Sequence, residues 1–175
     1  MAAGPYAESL PVIDGFDAEG ARPVSWDEVT GRFGAGGWCW LATVDPTGAP
    51  QTRPLFAVWS DPVFFIASKE TARKSRNLDR AARCCLTTET DDLHLVVEAV
   101  AEHVTEAGAL SRASAAFAAI YEWPTTVSGG KLDAPYGAPT SGGPPYDVYA
   151  LAPYRAFAFP TGKRAFPPTR WRFDS

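Results

Sequence analysis

The sequence predicts a mainly β fold, an antiparallel barrel with peripheral helices. Three observations carry that expectation. Apolar runs of strand length recur along the chain, among them "WCWLATV" (38–44), "VFFIAS" (63–68) and "RCCLTTE" (83–89). Turn residues separate them closely, as in "DPTG" (45–48), with Pro at the second position and Gly at the fourth. One short basic helix and one later helix interrupt the strand series, so no regular strand–helix alternation suggests a parallel sheet.

The elements follow in order. Residues 1–25 are rich in Pro, Gly and Asp without periodicity and read as an extended N-terminal arm; residues 26–175 form the barrel domain. Ser25 can cap a short helix, "WDEVTGRF", whose Asp27 and Glu28 suit the positive end of the helix dipole. Gly34, Gly36 and Gly37 end it. After the first strand and the "DPTG" turn, "APQTRPLFAVWS" (49–60) returns as one strand, and Pro50 and Pro54, lacking ladder donors, place its first half at an edge or bulge. The unbroken apolar run "VFFIAS" implies burial on both faces. A helix over about 71–80 follows, then "RCCLTTE". In "LHLVVEAVAEHVTE" (93–106), Leu93, Leu95, Val97, Ala99 and Ala101 share one face and His94, Glu98 and Glu102 the other.

Residues 109–121 switch to helical spacing through Leu110, Ala113, Phe117 and Ile120. In 124–145, ten of twenty-two residues are Pro or Gly, and a structureless loop of that length implies a lid or binding loop, or disorder. "YDVYALAPYRAFAFP" (146–160) and "TRWRF" restore a final strand pair. Trp38, Trp40 and Trp59 read as core and interface residues. Trp171, between Arg170 and Arg172, is compatible with a tail stacking at a partner's site or with a surface cation–π contact.

Composition bounds the function. The 175 residues, 46% hydrophobic, suffice for one well-buried core. No basic segment followed by an apolar one opens the chain, and no apolar run approaches membrane length, so a cytoplasmic protein is expected. Cys39, Cys84 and Cys85 have no metal-ligand spacing and read as reduced core residues, which implies no metal. The net charge of −4 argues against a nucleic-acid binder.

Positive charge is nevertheless concentrated. Residues 69–83 hold six Lys or Arg against Glu70 and Asp79, leaving −8 for the rest of the chain. Ser68 can help cap the helix that follows. Lys69, Arg73 and Arg76 share one face if the helix extends back to Lys69, with Lys74 a quarter-turn away and Asn77 able to donate from the same face. Together they form a phosphate-sized anion site at a helix start, with Arg53 reaching the same end of the sheet. The alternative is a solvated helix face with i,i+4 ion pairs. For proton transfer the candidates are His94, more often a structural residue in such a position, and Tyr136 and Tyr146 in the Pro/Gly loop, either of which can also simply pack.

The order "WLATVDPTGAPQTRPLFAVW", "VFFIASKETARKSRNL", "RCCLTTE" and "LHLVVEAVAEHVTE" resembles the pyridoxamine 5′-phosphate oxidase-like split β-barrel superfamily. Within it, the likeness is to the actinobacterial flavin- and deazaflavin-dependent oxidoreductases. The resemblance covers residues 26–123, and "FAFPTGKRAFPPTRWRF" is similar to the family's C-terminal strand and tail. It implies a homodimeric split barrel with cofactor sites at the interface. The phosphate of FMN or of the deazaflavin coenzyme F(420) then falls on Arg53, Ser68, Lys69, Arg73, Lys74 and Asn77.

The function implied is an oxidoreductase that transfers hydride between the reduced cofactor and a small conjugated molecule. F(420) comes first because the basic cluster exceeds what one phosphate requires. A non-catalytic flavin, deazaflavin or haem-binding module is the alternative reading. Relatives commonly have Gly where this chain has Ala99, whose Cβ narrows the space over the cofactor ring.

Overall fold

The computed structural model describes residues 6–9, 22–32, 36–138, 141–161 and 166–173. Strands β2 (Cys39–Val44) and β3 (Pro50–Leu55) pair across the predicted turn, and β4 (Ala57–Ser60) pairs with β5 (Val63–Ser68). In that turn, Asp45 Oδ1 accepts from the Thr47 and Ala49 amides at 2.9 and 3.1 Å. Helix α2 (Arg73–Arg80) leads to the antiparallel pair β6 (Arg83–Glu89) and β7 (Leu93–Val104). Helix α3 (Ala107–Tyr121) is capped by Glu106, which accepts from the amides of Gly108 and Ala109. Strand β10 (Asp147–Pro160) runs antiparallel to β7 over its whole length.

At β10 the barrel splits. On the edge away from β7, residues 147–151 pair with β5, while residues 155–158 pair with β11 (Thr169–Arg172). The register shifts between Pro153 and Arg155, where a bulge re-aims the strand. In the N-terminal arm, β1 (Tyr6–Ser9) pairs with β11; residues 10–21 lie outside the described residues, as does Gly34. The curled antiparallel sheet therefore runs β1-β11-β10-β7-β6-β2-β3, with β4 and β5 branching from β10.

Two cores explain the apolar pattern. Inside the barrel, Leu41, Leu86, Leu95, Val97, Ala99 and their neighbours bury one face of each strand, so the alternation expected of β7 holds even at Val96 and Val100, which point outward. A second core between the sheet, α3 and the 124–145 segment holds Phe65, Leu110, Phe117, Trp123, Leu132 and Tyr146. Strand β5 faces both: Phe64 and Ile66 enter the first core and Phe65 the second, which is why its run is unbroken. Each such side chain stabilises the fold by about 1.5–3 kcal/mol. Helix α1 (Trp26–Arg32) starts where Ser25 accepts from the Glu28 amide at 3.2 Å. Its Trp26 ring sits edge-on to Trp59, Trp171 and Phe173 at 5.6, 5.4 and 4.8 Å.

Three expectations are corrected. Residues 49–60 are two strands, not one: the chain leaves β2 at Phe56 and joins β5. The 124–145 segment is not structureless. Strands β8 (Thr126–Ser128) and β9 (Lys131–Asp133) form a hairpin through Gly129 and Gly130 at positive φ, and Leu132 pairs with Tyr146 and is fully buried. Trp171 is no tail residue but fully buried in the barrel, whereas Trp38 and Trp40 are each 48% exposed rather than in the core. Cys39 and Cys84 are buried and Cys85 partly so, all three free. No helix among the described residues is long and apolar enough to cross a membrane.

Candidate functional site

Helix α2 begins at Arg73, not at Lys69. Residues 69–72 make a turn, closed by the Ala72 amide on the Lys69 carbonyl at 2.9 Å, and Ala72 at the N-cap position offers no side chain to the helix. Ser68 therefore does not cap it; fully buried, it accepts from the Ser75 hydroxyl at 2.7 Å. The turn aims Lys69 away from the helix face. Its ammonium donates to the Gly143 carbonyl at 2.6 Å and lies 5.8 Å above the Tyr146 ring, which binds it to the 124–145 segment.

Of the other cations, Lys74 and Arg53 converge. At about 100° per residue, Lys74 falls between Asn77 and Leu78, both buried, with buried Ser75 completing the arc. A lysine thus occupies the middle of the inward face. Burial, and then the nearby Arg53 guanidinium, lower the pKa of its ammonium below the ordinary lysine value. Arg53 stands on β3, the terminal strand of the sheet, where Pro50 and Pro54 were expected to demand an edge. Asn77, 2% exposed, donates to Thr43 Oγ1 at 3.0 Å and Gln51 Oε1 at 3.4 Å, fastening α2 across the β2–β3 hairpin.

Arg73 and Arg76 border a separate hollow of about 380 Å³ with Asp45, Pro46 and Asn77. Arg80 instead clamps the β2–β3 turn through the carbonyls of Val44 and Asp45.

Arg53, Arg73, Lys74 and Arg76 make no salt bridge among the described residues, while Arg32, Lys131 and Arg155 are all paired with carboxylates. The solvated face with i,i+4 pairs is thus not what α2 presents. Two like charges brought together by partial burial are unfavourable in the protein alone and become favourable against an anion. The residues present fit a phosphorylated ligand on this ground.

The proton-transfer candidates are dispersed. Tyr146 is fully buried in the second core, its hydroxyl donating to the Gly142 carbonyl and accepting from the Ala138 amide. Tyr136 is 54% exposed and donates to the Glu122 carbonyl at 3.2 Å. His94 lies on the outer sheet face, with Nε2 3.6 Å from Glu89. Ala99 is fully buried in the barrel core. Sequence reasoning missed Thr43 and Gln51, which hold Asn77, and Ser75, which organises the turn before α2. Polar residues at inward strand positions were the available signal.

A split antiparallel barrel with a cation-bearing helix beside its terminal strand is the class of protein that fold and site define. The chain belongs to the pyridoxamine 5′-phosphate oxidase family, whose model matches residues 27–157. No curated protein sequence matches significantly. Among solved structures, the conserved hypothetical protein Rv2991 from Mycobacterium tuberculosis aligns with a TM-score of 0.62 at 20% identity, over 85% of this chain and 92% of that one. A haem-binding protein from Mycobacterium smegmatis aligns at 0.60 and 17% identity, over 82% of this chain but only 57% of its own length. The haem storage protein HutZ from Vibrio cholerae aligns at 0.51 and 19% identity, over 73% of this chain and 89% of that one. At these identities the likeness shows the fold.

Proposed function

We propose that this chain is a cytoplasmic oxidoreductase that binds the deazaflavin coenzyme F(420), or FMN, through its phosphate and reduces an activated C=C or C=N bond of a small conjugated substrate. The observation that carries the reading is Lys74, held on the inward face of α2 beside Arg53 with no carboxylate paired to either among the described residues. Arg53 and Lys74 would hold the phosphate, and Asn77 keeps α2 in register with β2 and β3. Arg73 and Arg76 add a second pair of cations, more than one phosphate monoester needs. That surplus favours F(420), whose lactyl-oligoglutamate tail carries further negative charge.

When bound, the cofactor supplies the hydride; the protein supplies orientation, electrostatics and shielding from water. The cluster has one wall only, since Arg53 is exposed on the terminal strand. A second copy of the chain completing the site as a homodimer is part of the proposal.

The test is equilibrium binding of oxidised F(420) and of FMN to the purified chain at low and moderate salt. Tight, salt-sensitive binding of one, lost on Arg53→Ala, supports the reading. Failure of both cofactors removes its main support.

A second reading, a non-catalytic flavin, deazaflavin or haem-binding module, is favoured by two structural neighbours, a haem-binding protein and a haem storage protein. It predicts an intense haem absorption band on titration that is lost on His94→Ala, and no turnover with any reduced deazaflavin.

A further inference from the structure

Asp147 opens β10 and is 3% exposed. Its Oδ1 is buried without a hydrogen bond among the described residues, yet two basic side chains approach it. Lys131 Nζ lies 2.9 Å away, off the line of a hydrogen bond, and His103 Nε2 lies 3.5 Å away. The two come from different elements, Lys131 from β9 of the hairpin and His103 from the end of β7. His103 follows Val97, Ala99 and Ala101 at alternate positions on the inward side of β7, apart from the outer sheet face.

Each basic group is held to a second partner. Lys131 also pairs with Glu70, in the turn before α2, at 3.0 Å. The His103 ring stacks on Tyr149 at 5.3 Å, and the Tyr149 hydroxyl donates to Asp79 of α2 at 2.8 Å. Burial, and then the Asp79 carboxylate, push the Tyr149 phenol above its ordinary value, so it stays neutral. Around His103 stand Asp147 and Tyr149 of β10, Lys131 of β9 and, through these, Asp79 and Glu70. Of these side-chain types, histidine alone ordinarily changes charge between pH 5 and 8.

With His103 neutral, Lys131 is the counter-ion of Asp147 and fastens the β8–β9 hairpin to β10. A proton on His103 brings a second cation to the same oxygen. It balances Asp147 from the barrel side and repels Lys131, which keeps Glu70 as its partner.

We propose that His103 and Lys131 compete for Asp147, so that protonation of His103 loosens the β8–β9 hairpin and makes this contact a pH-sensitive latch on the 124–145 segment. Coupling of this kind is reciprocal. Whatever the proton on His103 takes from the hold of Lys131, Lys131 takes from the affinity of His103 for the proton. The factor is about fivefold, the low end of the usual range, because the His103 side chain is 44% exposed and water screens it. The latch does not depend on which cofactor the chain binds.

The experiment is amide hydrogen exchange of the full chain, without cofactor, at pH 8 and pH 5, corrected for the intrinsic effect of pH on exchange. The reporter is the Leu132 amide, which donates to the Tyr146 carbonyl at 2.9 Å. Its opening constant rises about fivefold at pH 5, and the rise disappears in His103→Gln, which keeps Lys131 and Asp147. NMR titration of His103 in Lys131→Met shows a proton affinity raised by the same factor. An opening constant equal at the two pH values, or one that rises equally in His103→Gln, overturns the proposal. So does an unchanged proton affinity of His103 in folded Lys131→Met; if that variant does not fold, the His103→Gln comparison decides alone.

Discussion

Lys74→Met keeps the length and most of the apolar stem of the side chain and removes only its charge. If Lys74 holds the cofactor phosphate, the substitution deletes one charge-assisted hydrogen bond, worth about 1.5–3 kcal/mol. At about 1.4 kcal/mol per factor of ten, affinity for the cofactor falls roughly 10- to 150-fold. The effect on the free protein has the opposite sign. The substitution removes the desolvation of the ammonium and its repulsion by Arg53. Discounted for the part of the side chain still in water, that relief is on the order of 1 kcal/mol at most, so Tm rises by no more than about 4 °C for a chain of this size.

The pH dependence follows. Lys74 holds its proton less tightly in the folded chain than in the unfolded one. Between its lowered pKa and the ordinary value of 10.5, the unfolded state therefore binds more protons and stability rises with pH. Anion binding takes up a proton over the same window, so affinity falls there as pH rises. Both trends disappear in Lys74→Met. The assays are fluorescence titration with F(420) or FMN and thermal unfolding across that range. A variant with lowered Tm and unchanged affinity would refute the reasoning, because Lys74 would then be an ordinary stabilising residue.

Asn77→Ala takes the amide donor away from Thr43 Oγ1 and Gln51 Oε1 and destabilises the chain by about 1–3 kcal/mol in denaturant unfolding. Lys69→Met frees the Gly143 carbonyl and lowers stability by about 1 kcal/mol while leaving cofactor affinity within twofold, since Lys69 is turned toward the 124–145 segment. A tenfold loss of affinity in that variant would return Lys69 to the cofactor. Burial pushes the Cys39 and Cys84 thiols up to about 11 and about 12. At pH 8 a disulfide reagent therefore labels Cys85 first, by mass spectrometry of the native chain, and labelling of the other two tracks unfolding.

The barrel was legible where one local pattern decided the outcome. Leu93, Leu95, Val97, Ala99 and Ala101 repeat every second residue because one face of β7 is buried, and the run in β5 is unbroken because two cores meet it. What was not legible depends on contacts made far along the chain. The residues of β8 are all exposed, so no alternation marked its hairpin; the segment is ordered by Leu132 and Tyr146 entering the second core and by Lys69, more than sixty residues earlier.

The cation cluster was half visible. Charge density located α2, and the helical wheel placed Lys74 a quarter-turn from the assumed face. The turn at 69–72 decided that Lys74, not Lys69, faces inward, and no spacing rule forecasts that turn. Trp171 was misjudged because its flanking arginines suggest an exposed strand, whereas alternation in β11 points the indole into the barrel.

The prolines of β3 bear on how copies of the chain can meet. Residues 50, 52 and 54 present their backbone to the same side of the strand. Two of them have no N–H to give, and the Thr52 carbonyl is already taken by Arg53 Nη1 at 2.7 Å. A strand arriving at this edge would find few main-chain partners, so the sheet cannot be prolonged there into a chain-to-chain ladder. Copies that associate at this margin must recognise each other by side chains. The same margin, exposed during synthesis, gives a neighbouring unfinished sheet little to pair with.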